Sequence, residues 1–340
     1  MKTVKMKLNK NTIIDWLKGK DDELLFKIAR EIRDSIFGKY VYLRGIIEFS
    51  NVCRQDCLYC GIRKSNIKVK RYRLSPIEII NIAIKSHENT PGLNTIVLQS
   101  GEDTYYDKEM IGNIIKDIKA KSNVAITLSL GERNEEELEY WRECGADRYL
   151  LRIETFDVKR YSKFRPERVF SDRFELIKKI KKMGYEAGSG LIIGLPNEDI
   201  EYLAESLINI KKLGLAMIGE GPLIPHPDTP FKDEKYGDLN TSLRYLALLR
   251  IMNPGANLPA TSALASISQQ GRYLGLMAGA NVIMPSITPI KNRLDYNIYP
   301  GKNIKCDCIL EEIDIILDDI KHAGLSVATD ILGATKVEGY

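Results

Sequence analysis

Three absences narrow the function of this 340-residue chain before any motif is considered. No run of apolar residues approaches the length of a membrane span, and Met1 to Lys20 lacks the apolar segment of a secretory signal. No charge of one sign dominates, because 50 basic residues stand against 46 acidic ones. A polyanionic partner is therefore not indicated, and we expect a cytoplasmic protein that binds neither a membrane nor nucleic acid.

Cysteine and histidine are also scarce, with six and three residues, so a disulfide framework is excluded for a chain of this length. Half of the cysteines form one loop, Cys53, Cys57 and Cys60, with C-x3-C-x2-C spacing. A structural zinc site would need four ligands, and no second cysteine pair or clustered histidine lies nearby. Three thiolates instead suit three irons of a [4Fe–4S] cluster and leave the fourth iron open.

Short runs rich in Val, Ile and Leu alternate with helical patterns, which is typical of parallel strands buried on both faces. The predicted strands span 42–49, 94–99, 124–130, 148–153, 186–193, 215–221, 257–262 and 281–285. The predicted helices span 75–88, 107–121, 134–143, 170–183, 198–213, 239–252, 267–278 and 308–323, after two helices within 10–38. Eight strand–helix units predict an α/β fold of the closed (β/α)8 TIM-barrel type.

The rival architecture is an open doubly wound sheet, but its glycine fingerprint is missing after the first strand, where the cysteine loop stands. We expect one domain over 1–340, with N-terminal helices in 1–40, a barrel in 41–305, and a C-terminal helix and tail in 306–340. Active sites of such barrels lie at the C-terminal ends of the strands. The cysteine loop follows the first strand and is therefore predicted to lie at that end.

The cysteine spacing, with Tyr59 directly before the last cysteine, resembles the signature of radical S-adenosylmethionine (SAM) enzymes. This resemblance implies two cofactors, a [4Fe–4S] cluster held by Cys53, Cys57 and Cys60, and SAM bound through its amino and carboxylate groups to the open iron. An electron from an external donor would then break a C–S bond of SAM and release a 5′-deoxyadenosyl radical.

The resemblance also assigns residues at strand ends to SAM. The run Ser100, Gly101 and Glu102 is similar to the segment that receives the SAM amino group, and Glu154 matches an acid that meets its ribose or methionyl part. Arg173 would neutralise the SAM carboxylate. The other residues implied on the SAM side are Tyr59, Gln99, Thr127 and Ile192.

Two of these assignments have open alternatives. Arg152 and Glu154 share one face of the predicted fourth strand, so they form either a structural ion pair or separate contacts to a ligand. Arg165 and Arg168 compete with Arg173 for the SAM carboxylate.

Six segments resemble the HydE family of [FeFe]-hydrogenase maturases more closely: 44–53, 95–103, 126–132, 145–152, 225–230 and 279–285. The resemblance implies a small iron complex bearing cysteine, carbonyl and cyanide as substrate, made by the maturase HydG, with the product passing to the scaffold protein HydF. It places seven residues near that substrate: Arg148, Arg152, Thr261, Ser262, Met284, Tyr296 and Tyr299. For Met284, filling of the core is the alternative.

Two positions depart from the family pattern. Ile153 replaces an expected histidine, and only Cys306 and Cys308 remain where some relatives bind an accessory cluster, so we expect no stable second cluster. Three rival functions stay open, namely a methylornithine synthase-like lysine mutase, a biotin synthase-like sulfur insertion, and an iron–sulfur carrier without catalytic activity.

Overall fold

Two helices precede the barrel, as predicted. The structure, a computed structural model, describes residues 8–302 and 309–329. Helix α1 (Lys10–Leu17) is capped by the Asn9 side chain and α2 (Asp22–Phe37) by the Asp21 side chain. Each of these side chains accepts a hydrogen bond from an amide that has no partner within its own helix.

Eight parallel strands form a nearly closed barrel, which confirms the predicted (β/α)8 fold. The strands are β1 (Tyr40–Ser50), β2 (Thr95–Ser100), β3 (Ala125–Ser129), β4 (Arg148–Leu150), β5 (Glu186–Ile193), β6 (Met217–Pro222), β7 (Pro259–Ala260) and β8 (Val282–Ile283). They are joined in the order β6-β5-β4-β3-β2-β1-β8-β7. Asn257, two residues before β7, joins the start of β6 through two hydrogen bonds, from Ile218 to the Asn257 carbonyl at 3.0 Å and from Asn257 to the Ala216 carbonyl at 2.9 Å. A further strand, β9 (Ser326–Val327), pairs with the start of β1.

Helices cover the outside of the barrel. They are α3 (Pro76–Asn89), α4 (Lys108–Lys121), α5 (Glu135–Glu143), α6 (Val158–Phe164), α7 (Phe170–Lys182), α8 (Ile200–Leu213), α9 (Leu239–Met252), α10 (Ser262–Ile267), α11 (Gly271–Met277), α12 (Ile290–Arg293) and α13 (Ile309–His322). Within the described ranges, none of the helices is long and apolar enough to cross a membrane.

The sequence prediction missed α6, α10 and α12. Its helix over 267–278 corresponds to α11, which begins only at Gly271 because the chain turns sharply there after α10. A side chain there would lie 2.0 Å from the Leu264 carbonyl oxygen, so only glycine allows this close approach.

The fourth strand was predicted to run to residue 153 but ends at Leu150. The amide of Ile153 donates to the Ser189 hydroxyl at 3.0 Å rather than to a neighbouring carbonyl, and Glu154 has a left-handed backbone with φ of 67°. Regular pairing is thus interrupted before Glu154, whose amide donates to the Gly190 carbonyl at 2.9 Å. Such an irregularity redirects side chains at the rim of a barrel.

The inside of the barrel is polar, whereas the layer between strands and helices is apolar. Arg44 on β1 reaches the Met217 sulfur on β6 at 2.8 Å, and Arg148 on β4 reaches the Thr95 hydroxyl on β2 at 3.3 Å. Neither pair belongs to neighbouring strands, so both contacts cross the interior. Charged and hydroxyl side chains therefore line a space that an apolar core would otherwise fill.

Candidate active site

The three cysteines lie in the loop after β1, at the C-terminal end of the barrel strands, and none of them forms a disulfide. The backbone amides of Gln55 and Glu102 donate to the sulfur of Cys53 at 3.4 and 3.3 Å. The amide of Cys60 donates to the Cys57 carbonyl at 3.1 Å, which closes a tight turn. Amide donors at sulfur stabilise a thiolate that binds iron.

Two of the thiols, those of Cys53 and Cys60, are unfavourable as thiolates without a metal. Burial raises the pKa of Cys60, and the neighbouring charges of Cys57 and Cys53 raise it further. Burial also raises the pKa of Cys53. Metal binding removes this penalty because a coordinated thiol is deprotonated. Across residues 8–302 and 309–329, no three His, Cys, Asp or Glu side chains are grouped as ligands of one ion. A cubane does not require such a group, since each cysteine binds a different iron.

The end of β2 packs directly against the cysteine loop. A side chain at Gly101 would lie 2.3 Å from the Val52 carbonyl oxygen and 2.8 Å from Cβ of Cys53. The amide of Gly101 donates to the Ser50 carbonyl at 2.9 Å, and the Ser100 hydroxyl donates to the Gly101 carbonyl at 2.7 Å. The structure therefore brings the predicted Ser100–Gly101 segment beside Cys53, one of the three predicted cluster ligands.

The Glu102 carboxylate is buried and bound by protein groups. It accepts hydrogen bonds from the Gln55 side chain, from Arg54 at 3.3 Å and from the backbone amide of Glu132 at 3.1 Å. These partners belong to the cysteine loop and to the loop after β3. The side chain of Glu102 thus connects two loops, and its backbone, rather than its carboxylate, is the part beside Cys53.

Sequence reasoning missed Glu132, on which all three competing arginines converge. Arg173 lies 2.6 Å, Arg168 3.3 Å and Arg165 3.9 Å from its carboxylate. Arg173 also donates to the Arg152 carbonyl at 2.7 Å, which fixes the guanidinium below the rim. Three cations around one carboxylate leave net positive charge in this region, as an anionic ligand group requires.

Arg152 and Glu154 form an ion pair of 2.9 Å, which is the structural alternative that the sequence left open. Arg152 also donates to the carbonyls of Leu191 at 2.5 Å and Gly219 at 3.4 Å. Its guanidinium therefore spans from β4 across β5 to β6. The pair lies at the strand ends, inside the rim of the barrel.

Two buried hydroxyls inside the barrel, on Thr127 and Thr261, have no hydrogen-bond partner among the described residues. A buried hydroxyl without a partner is unfavourable, so such groups indicate where a ligand binds. Thr127 lies on β3 and Thr261 directly follows β7. These two hydroxyls are therefore free to bond to a cofactor and a substrate bound inside the barrel.

Two hydrogen bonds attach the segment after β8 to residues at the ends of other barrel strands. The hydroxyls of Tyr299 and Ser262 are 2.7 Å apart, and the Gln99 amide donates to the Tyr296 hydroxyl at 3.2 Å. Met284 is half-buried; it lines a small cavity together with Ser262 and also packs against the apolar cluster of Phe37, Tyr42, Val282 and Ala328, as its core-filling alternative predicts. Three residues predicted for the substrate side, Ser262, Tyr296 and Tyr299, therefore lie in one region.

The remaining predicted residues lie in two other places. Arg148 lies at the start of β4, deep in the barrel, where it pairs with Glu186 at 2.6 Å. Tyr59 and Ile192 belong to an apolar cluster beside the cysteine loop, with the Tyr59 ring 6.2 Å from that of Phe231. Cys306 and Cys308 lie outside the described residues.

A buried ion pair between Glu48 and Lys302 was also missed. Glu48 lies on β1 and accepts hydrogen bonds from Lys302, from Thr288 and, at 2.6 Å, from Ser286. Burial alone would raise the pKa of Glu48, but the Lys302 charge and these hydrogen bonds lower it below its usual value. The Lys302 ammonium lies 5.1 Å from the centre of the Tyr296 ring. The pair thus fixes the segment that carries Tyr296 to β1.

Glu220 on β6 is a second buried acid that sequence reasoning did not single out. Neither of its carboxylate oxygens has a hydrogen-bond partner in the described part of the chain. Burial raises the pKa of Glu220 to about 8, and the Arg152 charge offsets only part of this rise. Glu220 is therefore largely protonated at neutral pH.

We expect Glu220→Gln to raise stability at alkaline pH. Below the unfolded-state pKa of about 4.3, Glu220 is protonated in both the folded and the unfolded protein. As the pH rises from there to about 8, only the unfolded protein loses this proton, so the folded state becomes progressively less stable. The variant should be on the order of 1–3 kcal/mol more stable near pH 8. Urea unfolding across this pH range tests the effect, with the exposed Glu139→Gln as control. Equal pH dependence of the Glu220 variant and the wild type would contradict it.

Comparisons with known proteins agree with this geometry. The family model of the radical SAM superfamily matches residues 47–208. The [FeFe] hydrogenase maturase subunit HydE of Thermotoga maritima is 47% identical over 302 residues, which cover 87% of this chain and 86% of the relative. A 3-methylornithine synthase of Methanosarcina acetivorans is 32% identical over 80% of this chain and 77% of its own length.

Two solved structures share the fold. Methylornithine synthase (PylB) superposes with a TM-score of 0.83 at 28% identity and covers 96% of both chains. The maturase HydG superposes with a TM-score of 0.78 over 95% of this chain and 73% of its own, at 18% identity, which shows the fold alone.

A barrel that carries this cysteine loop on its first strand is a radical SAM enzyme, and its cofactors are a [4Fe–4S] cluster and SAM. Within that superfamily, the 47% sequence identity with a HydE over 87% of the chain decides the family. The chain belongs to the HydE family.

Proposed function

We propose that the protein is a maturase that helps assemble the diiron centre of an [FeFe] hydrogenase in the cytoplasm. The observation that carries this proposal is the 47% identity with a HydE over 87% of the chain. The substrate would be a small iron complex bearing cysteine, carbonyl and cyanide groups. HydG would supply this complex, and the product would pass to HydF.

When bound, the cluster and SAM supply a 5′-deoxyadenosyl radical. The residues of this chain would hold and orient the reactants. Cys53, Cys57 and Cys60 would bind three irons, and Ser100 and Gly101 would present backbone groups to the SAM ammonium. The arginines around Glu132 would attract the SAM carboxylate, because their net charge is positive.

The substrate side is supported by the polarity of the barrel interior. Cyanide and carboxylate groups accept hydrogen bonds from cations and hydroxyls, which Thr261 and the Ser262–Tyr299 pair would donate, while Arg152 would add positive charge beside its partner Glu154. Arg148 would add positive charge deeper in the barrel, although Glu186 partly neutralises it. The segment with Tyr296 covers the mouth and would limit entry of water.

We expect Thr127→Val to weaken SAM binding several-fold without loss of stability. Valine matches the shape of threonine, and the hydroxyl that it removes has no partner among the described residues. The lost hydrogen bond to SAM would cost about 0.5–1.5 kcal/mol. Binding titrations with the reconstituted protein measure this, and Thr261→Val, on the substrate side, should keep wild-type SAM affinity. If both variants bind SAM as the wild type does, Thr127 is not a SAM contact.

Complementation tests the proposed function directly. A hydrogenase maturation system that contains HydF and HydG but lacks HydE should regain hydrogenase activity when this protein is added. If the protein cleaves SAM but restores no activity, the maturase assignment is wrong while the enzyme class stands.

A lysine mutase of the methylornithine synthase type is the second candidate, because the PylB structure superposes over 96% of both chains. Incubation with lysine, SAM and a reductant separates the two. We expect no methylornithine from this protein, and formation of that product would favour the second candidate.

A further inference from the structure

The loop that follows the cysteines has an unusual surface. We define residues 61–73 as the cationic loop. Its tip is Ile67, whose residue surface is 94% exposed, and the exposed lysines Lys64, Lys68 and Lys70 surround this tip in sequence. From Arg54 to Arg73, both included, the chain has seven basic residues and one acidic residue.

Neighbouring acids neutralise only part of this charge. Lys68 pairs with Asp228 at 2.5 Å and Lys70 with Asp295 at 3.9 Å, yet the two lysine side chains remain 73% and 81% exposed. Lys64 forms no ion pair within the described residues. Exposed pairs of this kind are weak and screened by solvent, so the lysines present positive charge to a partner.

Hydrogen bonds within the cationic loop hold its backbone despite its exposure. Arg71 donates to the backbone carbonyls of Ile62 and Arg63, each at 2.7 Å, and to that of Asn66 at 3.2 Å. The Asn66 side chain donates to the Gly61 carbonyl at 2.6 Å. A surface fixed in this way loses little conformational entropy when a partner binds.

The same loop is joined to the cluster ligands. The amide of Arg63 donates to the Cys60 carbonyl at 3.1 Å, and the amide of Lys64 donates to the carbonyl of Gln55, between the first two cysteines, at 2.7 Å. Arg71 also donates to the Asn51 carbonyl, two residues before Cys53. The cationic loop is thus a part of the outer surface that is directly bonded to the cysteine loop. Electron transfer slows steeply with distance, so an electron carrier must dock close to these ligands.

We propose that the cationic loop is the docking surface for an acidic electron-carrier protein of the ferredoxin type. Ile67 gives this surface an apolar centre, and the lysines give it a charged rim, as is usual for a protein interface. Charge complementarity with an acidic partner speeds association. The carrier would lose one electron to the cluster held by the three cysteines. With that electron SAM would be cleaved at its C5′–S bond to methionine and the 5′-deoxyadenosyl radical. The inference rests on radical SAM activity, not on the identity of the substrate.

The test compares two reductants on one variant. In the triple variant Lys64→Glu/Lys68→Glu/Lys70→Glu, cluster reduction by a reduced acidic ferredoxin should slow by about 10- to 100-fold at low salt. Reduction by dithionite and SAM cleavage with dithionite should not change, because a small reductant needs no docking surface. The matched control is Lys20→Glu/Lys27→Glu/Lys85→Glu, which changes the net charge equally at exposed lysines elsewhere.

Each outcome decides the proposal. Slowing by ferredoxin alone, confined to the loop variant and lost at high salt, supports it. Ferredoxin rates equal to the wild type, or equal slowing in the control variant, overturn it. Slower reduction by dithionite as well would show that the lysines support the cluster site and would also overturn it. Absence of SAM cleavage in the wild type with dithionite would instead refute the enzymatic assignment.

Discussion

Replacing Cys57 by serine is expected to reduce SAM cleavage to background while the barrel stays folded. The two remaining thiols can bind only two irons, so the cubane loses its third protein ligand and its defined open iron. The turn that carries Cys57 is held by backbone hydrogen bonds, which serine preserves. Chromatographic measurement of 5′-deoxyadenosine after anaerobic reconstitution gives the activity, and iron analysis gives the cluster content.

The matched control is Cys144→Ala. Cys144 is buried at the end of α5, and its sulfur lies in the apolar core. We expect this variant to lose about 1 kcal/mol of stability and to cleave SAM at the wild-type rate. Wild-type cleavage by Cys57→Ser would refute the role of the loop. Loss of cleavage by a folded Cys144→Ala would show that the assay does not distinguish cluster ligands from structural thiols.

Lys302→Met is expected to destabilise the protein by about 3–5 kcal/mol, because it leaves the charge of Glu48 buried without its partner. The hydroxyls of Ser286 and Thr288 still donate to Glu48, but they carry no charge. The free energy of unfolding in urea, followed by circular dichroism under anaerobic conditions, measures the loss.

The double variant Glu48→Gln/Lys302→Met should regain most of this stability, since a neutral amide replaces the unpaired carboxylate. The exposed Lys291→Met, which removes a weak contact of 3.9 Å to Glu78, is the control and should change stability little. A single variant as stable as the wild type would show that solvent reaches Glu48. A double variant no more stable than the single one would show that packing of the Lys302 stem is what matters.

The barrel could be predicted because buried parallel strands and their covering helices each leave a local pattern in the sequence. The cysteine loop could be recognised because its three cysteines, the predicted cluster ligands, lie within eight residues. The cysteines directly follow β1 in the sequence, so the barrel fold places them at the C-terminal end of that strand. The SAM and substrate residues were assigned by resemblance, and for them the structure supplies partners and distances.

Contacts between distant residues could not be predicted in this way. Glu48 and Lys302 are 254 positions apart, and neither has a sequence neighbour that indicates the pair. The convergence of three arginines on Glu132 depends on α6, a helix too short for its pattern to be recognised. The early end of β4 depends on the Ser189 hydroxyl of a neighbouring strand, which no local pattern of β4 reveals.

Electron paramagnetic resonance of the reduced, anaerobically reconstituted protein tests the central claim most directly. We predict the signal of one [4Fe–4S] cluster that changes shape when SAM is added, because the amino and carboxylate groups of SAM would bind the iron that no cysteine holds. A signal that ignores SAM, or a protein that carries a single zinc ion on these cysteines instead of a cluster, would contradict the account.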